Sequence, residues 1–382
     1  MDFKVGDIIR IPLIKKDIEE IERTVTLSIS ISREDWDAHE TSWDFKGNEL
    51  VDMTADKYID IMQDYGDWIG AMVDLAPPQL ESLEWRVGVF HTRWETMFER
   101  LHANEEELNR QFIDIYGLQD ELTPDVPLDE VTILQQGEIS IEEGEIVWHD
   151  DVLIKQLISY AVGCWMGRYR LDKPGIHIAH TDAKQEEIAP YDYNGERFEI
   201  DDDGIIPLMP RDSMFSDNAA HRIADFVRQV FGAESQVANL NYMEAALGKS
   251  LEQYFIKDFW KDHKKMYQNR PIYWLFSSKK GAFQCIAYMH RMNKYTPEIV
   301  RQKYLLPHMD DLRKRIADMD QRAVDLNTQE RRSLDTMQKQ LAECMEYHDR
   351  LHPVADKQID FDLDDGVVVN YAKFGDILAK LK

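Results

Sequence analysis

Residues 312–351 read LRKRIADMDQRAVDLNTQERRSLDTMQKQLAECMEYHDRL. Apolar side chains stand at 312, 316, 319, 323 and 326, then at 334, 337, 341, 344 and 351. Spacings of three and four place each set on one face of a helix. The register slips across Asn327–Arg332, so a single rod would carry its second apolar set round to another face. Two antiparallel helices with a turn at Asn327-Thr328 resolve the slip.

Working outward, the same helical period recurs. It predicts helices over Lys15–Ser32 in its first part, Ala55–Met72 and Leu80–Leu101. A further helix opens on an Asn104/Glu107 capping box. Residues 32–53 carry no clean period and read as irregular. Ile139, Ile141, Ile146 and Trp148 suggest short strands in an acidic stretch, and a boundary is placed near 150. Val152–Leu171 is apolar on nearly every face, which predicts a core helix. Asp172–Asp217 is loop-rich, and an amphipathic helix carrying Ile223, Phe226, Val227, Val230 and Phe231 starts from a cap at Ser216 or Asp217. Helices are expected through 241–268, 282–292 and 297–306, and a strand or loop tail over 360–381. The fold class is mainly α with minor β (α+β). The expected division is 1–14, a strand of a target-recognition-like region; 15–150, a helical spacer; and 151–382, a helical C-terminal domain with the hairpin 312–351.

The 382 residues carry a net charge of −27, with 43% hydrophobic and 31% charged side chains, a composition that suits a globular protein. Cys164, Cys285 and Cys344 show no CxxC or Cys/His spacing, which argues against a zinc site or disulfide framework and fits a reducing cytoplasm. No apolar run reaches the length of a membrane span, so no membrane partner is expected.

Charge is distributed unevenly. Leu251–Arg315 holds 14 Lys or Arg against 6 Asp or Glu, a net of +8 in a chain of −27, which leaves −35 for the remainder. The core of this block is YFIKDFWKDHKKMYQNRPIYWLFSSKKGAFQCIAYMHR, residues 254–291. Lys257, Lys261, Lys264 and Lys265 favour one helix face, with Tyr254, Phe255 and Phe259 toward the core. Ser277-Ser278-Lys279-Lys280-Gly281 reads as an exposed turn feeding a helix that bears Arg291. Hydroxyls, backbone N–H groups and lysines near a helix start suit a phosphate oxygen. Lys264, Lys265, Arg270, Lys279, Lys280 and Arg291 are therefore the candidate DNA-phosphate contacts; a solvated helix face and a tight turn form the simpler alternative.

Other constellations are weaker. His177, His180 and Asp182 in HIAHTD match no strong metal pattern, and a polar loop explains them better. Asp201–Asp203 with Gly204 would place Pro210 where a calcium loop needs its bidentate acid, so an acidic turn is the better reading. No GxSxG, GxGxxG or GxxxxGK[ST] occurs. Neither catalytic nor cofactor-binding nor metal residues are assigned.

NEEELNRQFIDIYGLQDELT at 104–123, the 255–291 block, SREDWDAHETSWDF at 32–45 and YRLDKPG at 169–175 together resemble the C-terminal part of PglX. That family comprises the adenine-specific DNA methyltransferases of the BREX phage-defence system. The resemblance implies DNA engagement and assembly with other BREX proteins, ATPase and phosphatase subunits among them. Its methyltransferase domain would use a Rossmann-like fold, a glycine-rich S-adenosylmethionine loop and an Asn-Pro-Pro-Tyr tetrapeptide. Asn-Pro occurs nowhere in this chain, so none of those residues transfers, no Rossmann domain is expected, and S-adenosylmethionine is expected only in a domain absent from this sequence. A pure protein-interaction scaffold built on the 312–351 hairpin is the alternative.

Overall fold

The computed structural model describes Ile14 and residues 19–381. The expected strand over 1–14 lies outside the described residues save for Ile14. Two compact units are present: one takes in residues up to Ser42, Met53–Pro78 and Val87–His149, and the other Trp43–Asp52, Gln79–Arg86 and the chain from Asp150 onward.

The first unit contains α1 (Glu19–Asp37), α2 (Ala55–Ile69), most of α3 (Leu83–Tyr116) and the antiparallel hairpin β1 (Ile139–Glu142) and β2 (Glu145–Trp148). Helix α1 runs to Asp37, into the first residues of the stretch read as irregular, and residues 38–53 form turns without a helix or strand. Arg33, Glu34 and Trp36 lie on the solvated face of α1 while Ile31 and Asp35 are buried. Thr54 caps α2 by accepting from Lys57 N, and Gly70 closes it at a positive φ. The expected break at Asn104 does not occur. No Gly or Pro interrupts 89–116, so α3 runs on; Asn104 donates to Ser28 Oγ, and Glu107 pairs with Arg110 instead of closing a box. The apolar face of this helix buries Phe90, Trp94, Phe98 and Leu101.

A buried pair organises this unit. His39 donates from Nδ1 to Asp35 O at 2.7 Å and from Nε2 to Glu138 Oε1 at 2.8 Å, so both ring nitrogens carry protons. Burial opposes the imidazolium, but the Glu138 contact and the Asp35 groups outweigh it and hold its pKa above the ordinary value.

The second unit is built on α4 (Asp150–Trp165), in which every residue from Leu157 to Trp165 is buried. Gly167 follows at φ +77 and ends the helix. Two short strands, β3 (Tyr191–Tyr193) and β4 (Glu196–Phe198), form a hairpin. Asn218, one or two positions beyond the expected cap, accepts from His221 N at the start of α5 (Ala219–Phe231). The helices expected through 241–268 are three: α6 (Gln236–Leu247), α7 (Leu251–Lys257) and α8 (Phe259–Met266). Gly248 closes α6, and the Ser250 side chain caps α7. Arg86 ties three backbone carbonyls together, those of Leu80, Leu50 and Val51.

A three-stranded antiparallel sheet in the order β5-β7-β6 comprises β5 (Ile205–Pro207), β6 (Tyr273–Ser277) and β7 (Gln284–Tyr288). The expected helix over 282–292 is therefore a strand followed by a single 3-10 turn, Met289–Arg291. Cys285 through Tyr288 are all buried, and an apolar run this short has no period that separates strand from helix.

Past Arg291 the chain forms α9 (Thr296–Ile299), a π-helical turn over Val300–Leu305, and then the helical hairpin of α10 (Leu306–Gln321) and α11 (Thr328–Asp356). Asn327 and Glu330 make a reciprocal capping box at the turn. Met337, Cys344, Tyr347, Leu351 and Ala355 form the buried stripe of α11. The expected strand or loop tail instead includes α12 (Val367–Lys373), after which Leu378 bridges Phe276 and Ala379 N donates to Leu275 O at 2.8 Å. No helix among the described residues is long and apolar enough to cross a membrane.

Candidate nucleic-acid interface

The basic block folds as α7, α8, β6 and β7, and its six candidate residues fall into three places. Lys264 and Lys265 lie in the last turn of α8. Lys264 Nζ stands 5.2 Å from the centroid of the Trp260 ring, and Phe259, Trp260 and His263 hold the other face of the helix in the core. Cations here also complement the helix C-terminal dipole. Gln268 and Asn269, both at positive φ, swing the chain round so that Arg270 N bonds to Tyr267 O and Pro271 enters the core. The Arg270 side chain is exposed.

Lys279 and Lys280 occupy the turn between β6 and β7 and are both exposed. Strand β6, five residues and about 16 Å long at 3.3 Å per residue, lies between Arg270 and this turn along the chain. Among the described residues, Lys264, Lys265, Arg270, Lys279 and Lys280 form no ion pair, whereas Lys249 and Lys261 both neutralise Asp258.

Arg291 stands apart from both groups in its bonding. It donates to the carbonyls of Met166 (3.3 Å), Asp201 (2.6 Å) and Asp202 (2.8 Å), which leaves little of the guanidinium for a ligand.

The backbone of the β6–β7 turn already holds an anion. Glu343 Oε1, from α11, accepts from Ser278 Oγ at 2.6 Å, Lys280 N at 2.6 Å and Ala282 N at 3.4 Å. Partial burial raises the proton affinity of this carboxyl, but the hydrogen bonds from Ser278, Lys280 and Ala282 more than offset it and leave the pKa below the ordinary value. No local signal in the sequence links Glu343 to a turn 63 residues away. What the turn still offers to solvent is its two lysine side chains. Lys279 also borders an open groove of about 1050 Å³ lined by Glu346, Arg350, Val368, Tyr371 and Leu378.

The acidic turn at 201–203 is satisfied internally. Asp201 Oδ1 accepts from Gly204 N and Ile205 N, Asp201 Oδ2 pairs with Arg222 at 2.9 Å, and Lys303 bridges Asp202 and Asp203. Three cations, Arg222, Lys303 and Arg291, already face this turn, so its donor set does not suit a divalent ion. Among the described residues His177 bonds to no carboxylate; its Nε2 meets Glu187 O at 2.8 Å, while His180 pairs with the Glu187 carboxylate at 2.9 Å. Asp182 takes a positive φ in the same loop, and the three residues form no common ligand set.

The chain is thus an α+β segment that carries, among the described residues, two clusters of unpaired cations, exposed at Lys265, Arg270, Lys279 and Lys280 and half-buried at Lys264, on an acidic background. No family model matches it. It is 33% identical over 403 aligned residues to the adenine-specific methyltransferase BrxX of Escherichia coli O9:H4 (strain HS), a match that covers all of this chain and 31% of that protein. It is 32% identical to the adenine-specific methyltransferase PglX of Lacticaseibacillus casei (strain Zhang), over 98% of this chain and 29% of that protein. The chain is related along its whole length to part of these BREX adenine-specific methyltransferases, as the sequence resemblance implies, and it spans less than a third of their length.

Proposed function

We propose that this chain is the non-catalytic, C-terminal part of a PglX-like adenine-N6 DNA methyltransferase, and that it contributes DNA engagement and assembly with other BREX proteins. The observation that carries the reading is the full-length relationship to less than a third of two adenine-specific methyltransferases. In support, no nucleotide-cradling glycine motif is present in the sequence, so S-adenosylmethionine and methyl transfer are assigned to a separate domain of such an enzyme. Lys264, Lys265, Arg270, Lys279 and Lys280 supply the phosphate contacts, and Arg291 serves to position the segment around the 201–203 turn. The duplex would be held through its backbone, with no base selectivity contributed by these residues.

The test is charge reversal of Lys264, Lys265, Lys279 and Lys280 in the longer enzyme, with duplex affinity measured across a salt series. Weakened binding and a shallower salt slope are expected; an unchanged affinity and slope overturn the DNA role of this block.

A second reading, protein docking without DNA contact, draws on the groove beside α11, where Glu346 and Arg350 flank exposed Val368. Because Cys344, Tyr347 and Leu351 on the same helix are core residues, surface changes at Met345 and Glu346 are the clean probe. Loss of co-purifying BREX subunits with intact DNA affinity would favour this reading.

A further inference from the structure

Between the β6–β7 turn, α11, α12 and the residues after α12 lies an open groove of about 1050 Å³. Its lining is mainly apolar, with Val368, Tyr371, Ala372, Leu378 and Leu381 all facing it. Val368 stays 54% exposed. Sites that enclose a drug-sized molecule run to about 300–1,000 Å³, so this groove has room for several residues of polypeptide. Its walls are tied to one another. Tyr371 of α12 donates from Oη to Ala379 O at 2.6 Å, and Tyr347 of α11 from Oη to Ile377 O at 2.8 Å. Ala379 N in turn donates to Leu275 O of β6 at 2.8 Å. A groove held this way is formed before a ligand arrives, which lowers the ordering cost of binding.

Charge selects the occupant. The lining carries three cations, Lys279, Arg350 and Lys380, and two acids, Glu346 and Asp376. Arg350 and Asp376 pair at 3.2 Å and cancel. Among the described residues, Lys279, Lys380 and Glu346 form no ion pair. Two lysines against one glutamate leave the groove positive in a chain of −27. Lys279 lies three residues past Phe276, and Lys380 two residues past Leu378. Because Phe276 and Leu378 form an antiparallel bridge, the chain runs from them to the two lysines in opposite directions. The free cations therefore stand toward opposite ends of this pairing, with apolar side chains between them.

We infer that this groove docks an extended segment of a partner protein in which acidic side chains flank a short apolar run. The apolar residues lie against Val368, Tyr371 and Leu378, and the carboxylates meet Lys279 and Lys380. The inference rests on the protein-docking reading above and gives its partner a chemistry. A chain of −27 repels an acidic segment over most of its surface, so the two lysines also restrict where such a segment settles.

The test titrates the full chain into two dye-labelled, end-capped peptides, Asp-Leu-Val-Leu-Asp and Lys-Leu-Val-Leu-Lys, and reads fluorescence anisotropy. The acidic peptide should bind saturably and about tenfold more tightly than the basic one, with an affinity that falls as salt rises. Val368→Asp, at an exposed position, should weaken it about tenfold through loss of apolar contact and added repulsion. Lys380→Glu should weaken it about fivefold, the range of one surface ion pair. No saturable binding of the acidic peptide, equal affinity for the basic one, or full affinity in both variants would overturn the inference. These measurements involve neither DNA nor other BREX proteins, so the docking reading fails separately. If Val368→Asp loses the peptide yet still co-purifies with BREX subunits, the groove has no part in assembly and its peptide chemistry stands.

Discussion

The carboxylate of Glu343 sits 2.6 Å from the backbone nitrogen of Lys280, so a helix of the C-terminal hairpin fills the turn of a β-hairpin with negative charge. A backbone that could cradle a phosphate is occupied from within, and the neighbouring lysines are held outward. This contact gives the first prediction. Glu343→Gln retains one acceptor oxygen but loses the charge, and hydrogen bonds to a charged acceptor exceed neutral ones by about 1 kcal/mol. Urea unfolding at pH 7 should register a loss of about 1–2 kcal/mol. Because the folded-state pKa of Glu343 lies below its ordinary value, that contribution is present above about 4.5 and fades as pH falls through the folded value. The gap between parent and variant should therefore close in acid; a constant gap would show that charge is not its source.

Separation of the two lysine clusters by the length of β6 gives the second. Lys264→Glu with Lys265→Glu, and Lys279→Glu with Lys280→Glu, should act independently in a duplex-binding assay of the longer enzyme. Each released phosphate contact reduces the salt slope by about 0.9, so either pair should lower it by about 2 and the quadruple variant by about twice that. An effect confined to one pair would assign the phosphate face to that end of the strand.

A third concerns His263, whose Nε2 serves two backbone donors. His263→Phe strands the N–H groups of Ile272 and Tyr273 in the core and should cost roughly 2–4 kcal/mol at pH 7, taking 1–2 for each. The folded pKa of about 3 lies below the ordinary 6.5, with Arg168 the facing charge and Tyr267 and Tyr273 the facing rings. Unfolded parent chains then take up a proton that folded ones refuse, so parent stability declines from pH 6.5 toward 3. The variant lacks this decline, and the stability gap should narrow on acidification.

His39 behaves in the opposite sense. Its folded pKa is raised above 6.5, so its contribution is complete below 6.5 and is lost as pH climbs through the folded value. His39→Asn removes a charged hydrogen-bond partner of Glu138, 1% accessible, and should cost about 1.5–3 kcal/mol at pH 6. Chemical denaturation at pH 6 and pH 9 checks this, and an undiminished deficit at the higher pH would contradict it.

Legibility in the sequence followed the range of the forces involved. The α10–α11 hairpin, the buried α4 and the β1–β2 hairpin could be read because their periods are local and their turns are built from adjacent residues such as Asn327 and Glu330. The run at 282–292 could not, since Cys285 through Tyr288 are all buried and show neither period. Asn104 and Glu107 had the wording of a helix start, but packing of α3 kept the helix running through them. At the candidate interface, lysine positions were plain from charge alone. The role of Glu343 was not, because its partners lie in a turn about 60 residues away along the chain.

The short pairing of Leu378 and Ala379 with β6 has a consequence for the behaviour of the protein at high concentration. β6 is an outer strand of its sheet, rich in Tyr, Trp, Leu and Phe, and a bare edge of that composition is adhesive. Leu378 and Ala379 lie across it as a built-in stopper. Replacing Leu378 and Ala379 by prolines, which cannot pair with the strand, should convert a well-behaved solute into one that self-associates through its strands.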